Sequence, residues 1–562
     1  MNILNRRKTL NIFKLRTFAA YFNNLVPDYV RSVSCKRLTS IFILMTITQP
    51  VINPAAGAVA GHTDIQPFPA FLEGLQHQIR KVFRGHAEHD PHNLNRGVPP
   101  AVISEIMSHN PLSVSIPKAN GGRGGVTAEI LAVLSAASYE SLALSLTIGI
   151  NSALFIQPVS KFASQEMKRL VFKKFLSESS MGGLMITEPD FGSNALHMQT
   201  SFTDRGDHYR INGTKHWAGL TGYARYWLLT ARERTPSGDL KRDIQFFICD
   251  VKETGQRIEV EELFDNLGLY QIPYGRNRID VSVPRNHRLE PETTGINILL
   301  DLLHRSRLQF PGMAHGFIHR MMDEAIEHCK QRWVGGHSLF GYDQVQKRLS
   351  HLQASYTISS AMCAYSCDKA GIEQDLSTSG LVANTFKSVV TDMMQSAAQS
   401  LVQLVGAKAY RFNHIGGRGI IDSRPFQIFE GSNDILYAQI TEGVVKLMKK
   451  VKENNLYRFL NAFHLTGNSA ASIRNQLDFD LDMQLPQRKM VELGQAIGRI
   501  VSMEMVMALG DRGFRNDLIE NALTILRSEI AGLMGNFRVA EPTLVVADYQ
   551  QGSSWQDIAG RF

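Results

Sequence analysis

The spacing of apolar residues predicts helices in both halves of the chain. From about residue 63 the apolar positions recur at helical spacing. Residues 127–156 are mostly apolar and free of proline, which predicts one long helix buried on most sides. Helical spacing returns from residue 295 to residue 450. Within that stretch, three segments are each long enough to cross a four-helix bundle: 316–332, 344–370 and 379–405.

Between residues 185 and 285 the apolar pattern changes from helical spacing to that of short strands. Residues 207–211 lead into Asn212-Gly213, the dipeptide most typical of a two-residue hairpin turn, and residues 214–217 follow. Four more short runs have strand character: 226–230, 244–249, 257–261 and 278–283. Such runs at short spacing indicate a small β-barrel or sandwich.

The order of these elements predicts a mainly helical α+β protein. We assign residues 63–184 to an N-terminal helical domain, 185–290 to a central small β-barrel or sandwich, and 291–450 to a C-terminal four-helix bundle. Residues 451–562 form an additional helical extension. Its segment 487–509 carries apolar residues at helical spacing, which is more typical of a core-facing helix than of a membrane-facing one.

The positive charge of the chain is concentrated at its N-terminus. Residues 1–38 contain eight Lys or Arg and one Asp, a net charge of +7, whereas the other 524 residues carry 52 basic and 51 acidic groups. This basic start is similar to a targeting presequence, but the short apolar run that follows is interrupted by Pro50 and Pro54. We therefore interpret residues 1–62 as a targeting-like or disordered leader. The nearly neutral remainder shows no footprint for nucleic acid.

The cysteines form neither a disulfide framework nor a metal-spaced cluster, so we predict no metal site. They stand at positions 35, 249, 329, 363 and 367. Unpaired thiols are typical of a reducing compartment. We therefore expect a cytoplasmic protein, with association to a membrane surface as a further expectation and the mitochondrial matrix as the alternative in a eukaryote.

Two segments of the predicted β-domain have the chemistry of a cofactor site. In residues 186–194, Gly192 and Ser193 follow a proline turn and offer backbone N–H groups and a hydroxyl, which suit a phosphate or a flavin edge. An ordinary structural turn has the same composition. About 25 residues later, Trp217 stands beside small residues, where its indole suits either the protein core or the face of a cofactor ring.

A third segment, Phe429-Glu430-Gly431-Ser432, places a carboxylate between an apolar run and a glycine. Burial raises the pKa of a carboxyl group, so that Glu430 has the chemistry of a general base. Taken alone, the same pattern is typical of an acid that caps a helix.

Together and in this order, the motifs over about residues 65–450 resemble those of the acyl-CoA dehydrogenase family. The resemblance rests on the following segments: the loop 117–125, Thr187-Glu188-Pro189 with Gly192-Ser193, Lys215 with Trp217, Asn266-Leu267-Gly268, Arg305-Ser306-Arg307, Gln403 with Gly406, and 429–432. It implies an FAD-dependent enzyme in which Glu430 removes the α-proton of an acyl-CoA thioester and the β-hydrogen leaves as a hydride to flavin N5. It further implies that the Glu430 backbone N–H and a ribityl hydroxyl polarise the thioester carbonyl, which is preorganised stabilisation of a developing enolate.

The resemblance also implies a role for each matching position. Six positions would contact the flavin from the β-domain: Leu184, Ile186, Thr187, Ser193, Trp217 and Gly219. Arg332, Gln403 and Gly406 would reach the FAD of a neighbouring subunit, which implies a homodimer or homotetramer. Ser432 and Asp434 would lie beside the adenosine moiety of FAD, and Ser193, Arg307 and Gly431 would contact the substrate. The position that holds the base in a variant subgroup is Ser306 here, which cannot serve as one.

The chain departs from the family pattern at four positions, which concern flavin affinity and the contact with a neighbouring subunit but not the base. Thr or Ser is frequent where this chain has Gly219, and an aromatic residue is frequent at Gly335. A Gln is frequent near Asp343, and Gly is frequent at Ala407.

Several functions stay open at the level of sequence. Reoxidation of the flavin is expected to use an electron transfer flavoprotein or a similar carrier, because no NAD fingerprint is found. A flavin oxidase or monooxygenase with the same fold is the alternative enzyme, and a non-catalytic scaffold is the alternative of another class. Some long-chain members of the family carry a C-terminal helical domain, so the extension points to long acyl chains or to a membrane surface.

Overall fold

The computed structural model describes residues 66–86, 100–192, 194–411, 413–539, 544–550 and 552–558. The predicted leader at residues 1–62 lies outside the described residues. The first described elements are helical: α1 Phe68–His86, α2 Pro100–Met107, α3 Thr127–Glu140, α4 Leu142–Asn151, α5 Gln157–Phe162 and α6 Gln165–Glu178.

The expectation of one helix over residues 127–156 is wrong, because the chain breaks at Ser141. This residue is extended, with φ −151° and ψ 114°, and its hydroxyl accepts a hydrogen bond from the Leu144 N–H. Ser141 thereby ends α3 and caps α4. The expected burial is confirmed for α4, every residue of which is buried.

The stretch Leu142–Phe162 is, among the described residues, long and apolar enough to cross a membrane by composition. Its most apolar window is 94% buried inside the protein, as in the central helix of a folded core. The stretch consists of α4, a π-helical turn at Ser152–Ile156 and α5. A π-turn within a helix is a frequent feature of functional sites.

The central element is a seven-stranded sheet. Its strands are β1 Gly182–Met185, β2 Ser201–Asp204, β3 His208–Gly219, β4 Tyr226–Arg234, β5 Leu240–Asp250, β6 Glu259–Leu263 and β7 Tyr274–Pro284. The order is β1-β4-β2-β3-β7-β6, and β5 pairs with β4. One edge of β4 is shared by β1 and β2, both parallel to it, while the antiparallel β5 takes the other edge.

The predicted hairpin turn at Asn212-Gly213 is wrong, because both residues lie within β3. Asn212 pairs with Asp280 of β7 and with Ser201 of β2. The glycine has a packing role, since a Cβ at Gly213 would lie 2.3 Å from the Thr200 hydroxyl. The dipeptide therefore permits a close approach between strands instead of a reversal of the chain.

The chain returns to helices after the sheet, as predicted. These elements are α7 Gly295–Arg307, α8 Phe310–Gln331, the short strands β8 Trp333–Val334 and β9 His337–Ser338, α9 Asp343–Lys369, α10 Gly380–Val405, α11 Ile415–Ser423 and α12 Asn433–Val451. The three predicted long segments correspond to α8, α9 and α10. Helix α10 packs against α8, α9 and α12, and α8 also packs against α3 of the N-terminal helices.

The extension is helical and packs on α9, α10 and α12. Its described helices are α13 Leu456–Ala462, α14 Gly467–Ser472, α15 Arg474–Leu477, α16 Gln487–Asp511, α17 Asn516–Arg538 and α18 Trp555–Ile558. The apolar stripe predicted on α16 is buried at Leu493, Ile497 and Ile500. It therefore forms protein core.

A glycine permits a close approach between the extension and α12. A Cβ at Gly494 would lie 2.0 Å from the carbonyl oxygen of Tyr437, and backbone cannot move aside as a flexible side chain can. We expect Gly494→Ala to lower the free energy of unfolding by about 1–3 kcal/mol or more, as overpacking does.

The matched control is Gly535→Ala, because Gly535 is an exposed glycine within α17 whose added Cβ would meet nothing within 4 Å. We expect this control to be stabilised by up to about 1 kcal/mol, since alanine favours the helix. Urea unfolding followed by circular dichroism compares the two variants. Equal midpoints would show that the contact at Gly494 is not tight.

Candidate active site

A cavity of about 280 Å³ lies where α4, the ends of β1, β3 and β7, α7 and the loop before α12 meet. Eight of the predicted site residues line it: Leu184, Ile186, Thr187, Trp217, Gly219, Arg307, Glu430 and Gly431. Ser193 lies outside the described residues, but Gly192 and Ala195 on either side of it also line the cavity. Residues that are up to 247 positions apart in the chain therefore meet at one site. The individual role of each residue is still a prediction.

The other predicted positions do not line this cavity. Arg332, Gln403, Gly406 and Asp434 are exposed, and Ser432 is the half-buried N-cap residue of α12. Arg332 ends α8, and Gly406 with φ 75° ends α10. These positions were predicted to reach the adenosine moiety or the FAD of a neighbouring subunit, and their exposure leaves them accessible for such contacts.

A buried ion pair joins the two predicted flavin segments. The Lys215 ammonium lies 3.0 Å from Glu188 Oε1, and both side chains are almost completely buried. The carboxylate also accepts the backbone N–H groups of Gln199 and Thr200, at 2.6 and 2.9 Å. Burial lowers the pKa of Lys215 to about 8, although Glu188 opposes the shift. Since the His216 N–H also donates to the Thr187 carbonyl at 2.8 Å, these contacts hold Thr187 beside β3.

Trp217 lies at an irregularity in the pairing of β3 with β7, between His216 and Ala218. Its backbone is left-handed, with φ 56°, and its side chain is 54% exposed. The indole contacts the ring of Phe264, with centroids 4.6 Å apart, and lines the cavity. Irregularities of this kind re-aim side chains next to active sites. An indole that lines a cavity beside Ile186 and Thr187 fits the face of a planar ring such as a flavin.

The backbone at Glu430 is held in a conformation that a glutamate rarely adopts. Its φ is 53° and that of Gly431 is 92°. Arg307 Nη2 donates to the Glu430 carbonyl at 2.7 Å, and Lys387 Nζ donates to the Gly431 carbonyl at 2.8 Å. A left-handed non-glycine residue costs about 1–3 kcal/mol, and such strain is frequent at functional sites. Two buried basic side chains, those of Arg307 and Lys387, therefore fix the direction of two successive carbonyl groups in this loop.

The Glu430 carboxylate has one oxygen bound and one oxygen free. Oε1 accepts the Ser306 hydroxyl at 2.8 Å, whereas Oε2 is buried and has no hydrogen-bond partner among the described residues. Burial raises the pKa of Glu430, and Arg307, Ser306 and Lys387 oppose the shift. A buried carboxylate with an unpartnered oxygen, on a residue that lines a cavity, has the properties of a general base.

The backbone N–H of Glu430 is a second unpartnered group of the same residue, beside its carboxylate. In the described part of the chain it donates no hydrogen bond, in contrast to the N–H groups of Ile428 and Phe429, which both donate to Pro425. The Phe429 ring packs on Phe426, with centroids 4.9 Å apart. The loop is thus fixed by apolar packing on one side of Glu430, and its free N–H is a candidate oxyanion donor.

The structure adds three side chains to the predicted site. Ser306 had been considered only as a position that cannot supply the base, and it binds the base directly. Tyr274 of β7 lines the cavity, and burial together with the charge of Glu430 raises its pKa. Lys387 is fully buried, and burial lowers its pKa to about 7. The sequence did offer one indication of a role for Lys387, since it is the one lysine within the apolar pattern of residues 379–405.

The remaining wall of the cavity is apolar except for Gln439. It is formed by Leu146 and Ile150 of α4, Leu154 of the π-turn, Leu303 of α7 and Leu436 of α12. The long buried helix thereby has a function in the site as well as in the core. A cavity with an apolar wall and few polar groups is typical of sites for organic ligands.

Comparison with known proteins agrees with this geometry. Three family models match successive parts of the chain: the acyl-CoA dehydrogenase N-terminal domain over residues 72–179, the middle domain over 183–281 and the C-terminal domain over 293–445. An acyl-CoA dehydrogenase of Bacillus subtilis is 22% identical over 59% of this chain and 86% of its own length.

Solved structures share the fold. Butyryl-CoA dehydrogenase from Megasphaera elsdenii matches 69% of this chain and 100% of its own chain, at a TM-score of 0.60 and 20% identity. An acyl-CoA dehydrogenase from Bacillus anthracis, complexed with FAD, matches 86% of this chain and 90% of its own chain, at a TM-score of 0.69 and 14% identity. Since residues 1–450 are only about 80% of the 562 residues, this second likeness includes part of the extension. All three domain models of one family match in order, and this chain is accordingly a member of the acyl-CoA dehydrogenase family and an FAD-dependent oxidoreductase.

Proposed function

We propose that the protein converts an acyl-CoA thioester to the trans-2-enoyl-CoA, with Glu430 as the base that removes the α-proton. The observation that carries the proposal is the Glu430 carboxylate, whose Oε2 atom is buried and unpartnered beside a cavity that Trp217 also lines. An acidic helix cap, the alternative from sequence, would bind helix N–H groups, whereas this carboxylate binds the Ser306 hydroxyl.

FAD, when bound, supplies the acceptor for the hydride that leaves the β-carbon. Leu184, Ile186, Thr187 and Trp217 would hold its ring system, because they share the cavity with Glu430. The side chains of this part of the cavity are apolar except for the Thr187 hydroxyl and the Trp217 indole N–H. They exclude water from the carboxylate, which keeps Glu430 a stronger base than an exposed glutamate.

Two groups of the chain act on the thioester in this proposal, and a third holds them in place. The Glu430 carboxylate accepts the α-proton at Oε2, its free oxygen. The Glu430 N–H donates to the thioester carbonyl and stabilises the charge that develops there. Arg307 holds the carbonyl of the same residue at 2.7 Å, so that the N–H and the carboxylate keep their directions during the reaction.

The acyl chain is proposed to lie against the apolar wall formed by Leu146, Ile150 and Leu154. An anaerobic absorbance titration with acyl-CoAs of graded length tests the proposal. We expect the flavin absorbance to bleach with one equivalent of enoyl-CoA formed, and the dependence on length to identify the substrate class. An absorbance that no acyl-CoA changes would overturn the proposal and favour the scaffold.

We infer that the electrons then pass to an electron transfer flavoprotein or a similar carrier. The alternative is an oxidase, in which oxygen takes the electrons. Full turnover in air without a carrier, with stoichiometric peroxide, would favour the oxidase. The retained Glu430 favours dehydrogenation over monooxygenation, because the base is required only when the α-proton leaves.

A homo-oligomer is part of the proposal. Arg332 and Gly406, whose predicted partners are on a neighbouring subunit, stand in segments that also expose large apolar side chains. Trp333 is 64% exposed and Tyr410 is 85% exposed. Aromatic residues at this exposure beside an arginine are typical of interfaces. Contact of the extension with a membrane surface stays a prediction.

Removal of the Ser306 hydroxyl is expected to change the pH dependence of flavin reduction. The hydroxyl favours the ionised form of Glu430 and lowers its pKa, so Ser306→Ala raises that pKa. Because Glu430 acts in its ionised form, the acidic limb of the rate profile moves to higher pH. The rate on that limb falls, whereas the rate on the alkaline plateau is retained.

The matched control is Ser502→Ala. This serine of α16 is fully buried, and its hydroxyl donates within the helix to the Gly498 carbonyl at 2.7 Å. The profile of the control is expected to coincide with that of the wild type. A Ser306→Ala profile that also coincides with the wild type would show that the hydroxyl does not bind the catalytic carboxylate.

A further inference from the structure

The extension reaches the loop of Glu430 through a series of hydrogen-bonded polar groups that are buried or half-buried. Its helix α16 lies directly on α12, since Gly494 touches the backbone of Tyr437 and a Cβ at Gly498 would lie 3.5 Å from the Tyr437 ring. Tyr437 is 1% exposed, and its hydroxyl points toward Arg499 of α16, at 3.3 Å. A residue of the extension therefore meets a residue that stands seven positions after Glu430.

Arg499 is held as a cation at this contact. Its Nε donates to Glu529 Oε2 of α17 at 2.8 Å. Burial lowers the pKa of the guanidinium, but Tyr437, Glu529 and Asp392 together raise it above its ordinary value. Arg499 is thus fixed within the extension by Glu529 and presents its remaining donors to Tyr437.

The next link is a carboxylate of α10. The Tyr437 hydroxyl donates to Asp392 Oδ2 at 2.7 Å. The other oxygen, Oδ1, accepts two amide groups, Gln427 Nε2 and Asn433 Nδ2, each at 2.7 Å. These two residues stand immediately before and immediately after the loop 428–432 that carries Glu430. One carboxylate oxygen therefore holds both ends of the catalytic loop.

A second set of hydrogen bonds continues this series into the loop 428–432 itself. Asn433 Oδ1 accepts Lys387 Nζ at 2.9 Å, and the same ammonium donates to the Gly431 carbonyl at 2.8 Å. Asp392 and Lys387 thereby help to set the orientation of the Asn433 amide, together with the Ser388 carbonyl and the Thr391 hydroxyl. Since Gly431 follows Glu430 directly, a rotation of the Asp392 carboxylate would move the peptide groups on which the direction of the base depends.

We propose that Arg499 and Tyr437 are positioning residues for Glu430, and that the extension acts on the reaction by fixing the Asp392 carboxylate at both ends of the catalytic loop. This inference rests on the proposed dehydrogenation. The Tyr437 hydroxyl occupies Oδ2 and leaves Oδ1 to the loop, so loss of the hydroxyl frees the carboxylate to turn. The strained backbone of Glu430 then has fewer constraints against relaxation.

The test compares two variants that each remove one hydroxyl between α12 and α16. Tyr437→Phe removes the link from Arg499 to Asp392 and keeps the ring that packs on Gly498. Thr441→Val removes the hydrogen bond from Thr441 Oγ1 to the Met490 carbonyl, at 2.6 Å. It leaves the hydrogen bonds from Arg499 through Tyr437 to Asp392 intact. Both positions are buried, so a merely structural effect lowers the melting temperature in both.

In the full-length, FAD-loaded protein, we expect Tyr437→Phe to slow anaerobic flavin reduction by acyl-CoA by about 5- to 30-fold at saturation, as for a lost hydrogen bond to a charged group. KM is expected to be nearly unchanged, and Thr441→Val is expected to stay within about twofold of wild type. Hydrogen–deuterium exchange supplies a readout apart from activity. The peptide over residues 428–436 should exchange faster in Tyr437→Phe than in Thr441→Val.

The outcomes separate the two proposals. If acyl-CoA does not reduce the wild type, the proposed function fails, and the exchange of the catalytic loop alone decides the positioning role. Equal loop exchange in the two variants, or equal rates, would overturn that role. Should Tyr437→Phe fail to fold, Arg499→Lys is the second variant, because it keeps the charge and loses the planar fork. It should slow flavin reduction in the same direction, and a wild-type rate would again overturn the inference.

Discussion

Replacement of Glu430 with Gln is expected to slow anaerobic flavin reduction by acyl-CoA by about 10²–10⁴-fold, the range for a lost general base. The amide keeps the size of the side chain and accepts the Ser306 hydroxyl, but it cannot take a proton. No other acidic side chain lines the cavity within the described residues, so the effect should be at the upper end of the range. FAD content and acyl-CoA affinity should change little, because the substitution acts on the transition state.

The matched control for this substitution is Asp422→Asn. Asp422 is also buried, burial raises its pKa, and it accepts the Leu269 N–H at 2.7 Å. It does not line the cavity. Stopped-flow reduction of this control should resemble the wild type, which would show that loss of a buried carboxyl group is not sufficient to stop the reaction. A control as slow as Glu430→Gln would indicate a general effect on folding.

The second large effect is expected for Arg307→Gln. Arg307 holds the Glu430 carbonyl and lowers the pKa of the carboxyl group through its charge. Without this cation the pKa of Glu430 rises, because a close opposite charge that favours the ionised form is lost. The acidic limb of the rate profile therefore moves to higher pH. At neutral pH, flavin reduction should fall by about 10- to 100-fold, since the carbonyl also loses a charged donor.

Arg305→Gln on the same helix is the control for this prediction. Arg305 is 1% exposed and pairs with Asp301 at 3.1 Å, and its other hydrogen bonds go to the carbonyls of Ala370, Gly371 and Gln374. The Arg305→Gln substitution should lower the melting temperature without moving the acidic limb of the pH–rate profile. If the limb stays at the wild-type pH in Arg307→Gln as well, Arg307 has no electrostatic effect on the base.

Much of the fold follows from local sequence. The spacing of apolar residues predicted α8, α9, α10 and α16 closely, because these helices bury one face in the core. Where the sequence misled, a local signal competed with tertiary packing. The Asn212-Gly213 dipeptide favours a turn in isolation, but the approach of Thr200 requires a glycine inside a strand. The break at Ser141 has a local cause, a capping serine, that the apolar run around it obscured.

The candidate site was only partly predictable, because several of its contacts join residues that are far apart in the sequence. Motifs that combine several special residues, such as 187–193 and 429–432, can be recognised within a short segment. Ser306 and Lys387 act on the loop of Glu430 from 124 and 44 positions away, through the fold alone. The left-handed backbone of Glu430 is likewise set by Arg307 and Lys387, and no residue type near position 430 predicts it.

The most direct test of the proton transfer is anaerobic flavin reduction with acyl-CoA that carries deuterium at the α-carbon. We predict slower reduction than with the unlabelled substrate in the wild type, because the α-carbon–hydrogen bond breaks toward Glu430 in that step. The Glu430→Gln variant should show almost no reduction over the same time. Identical wild-type rates with both substrates, together with a Glu430→Gln rate within about threefold of wild type, would contradict a role of Glu430 as general base.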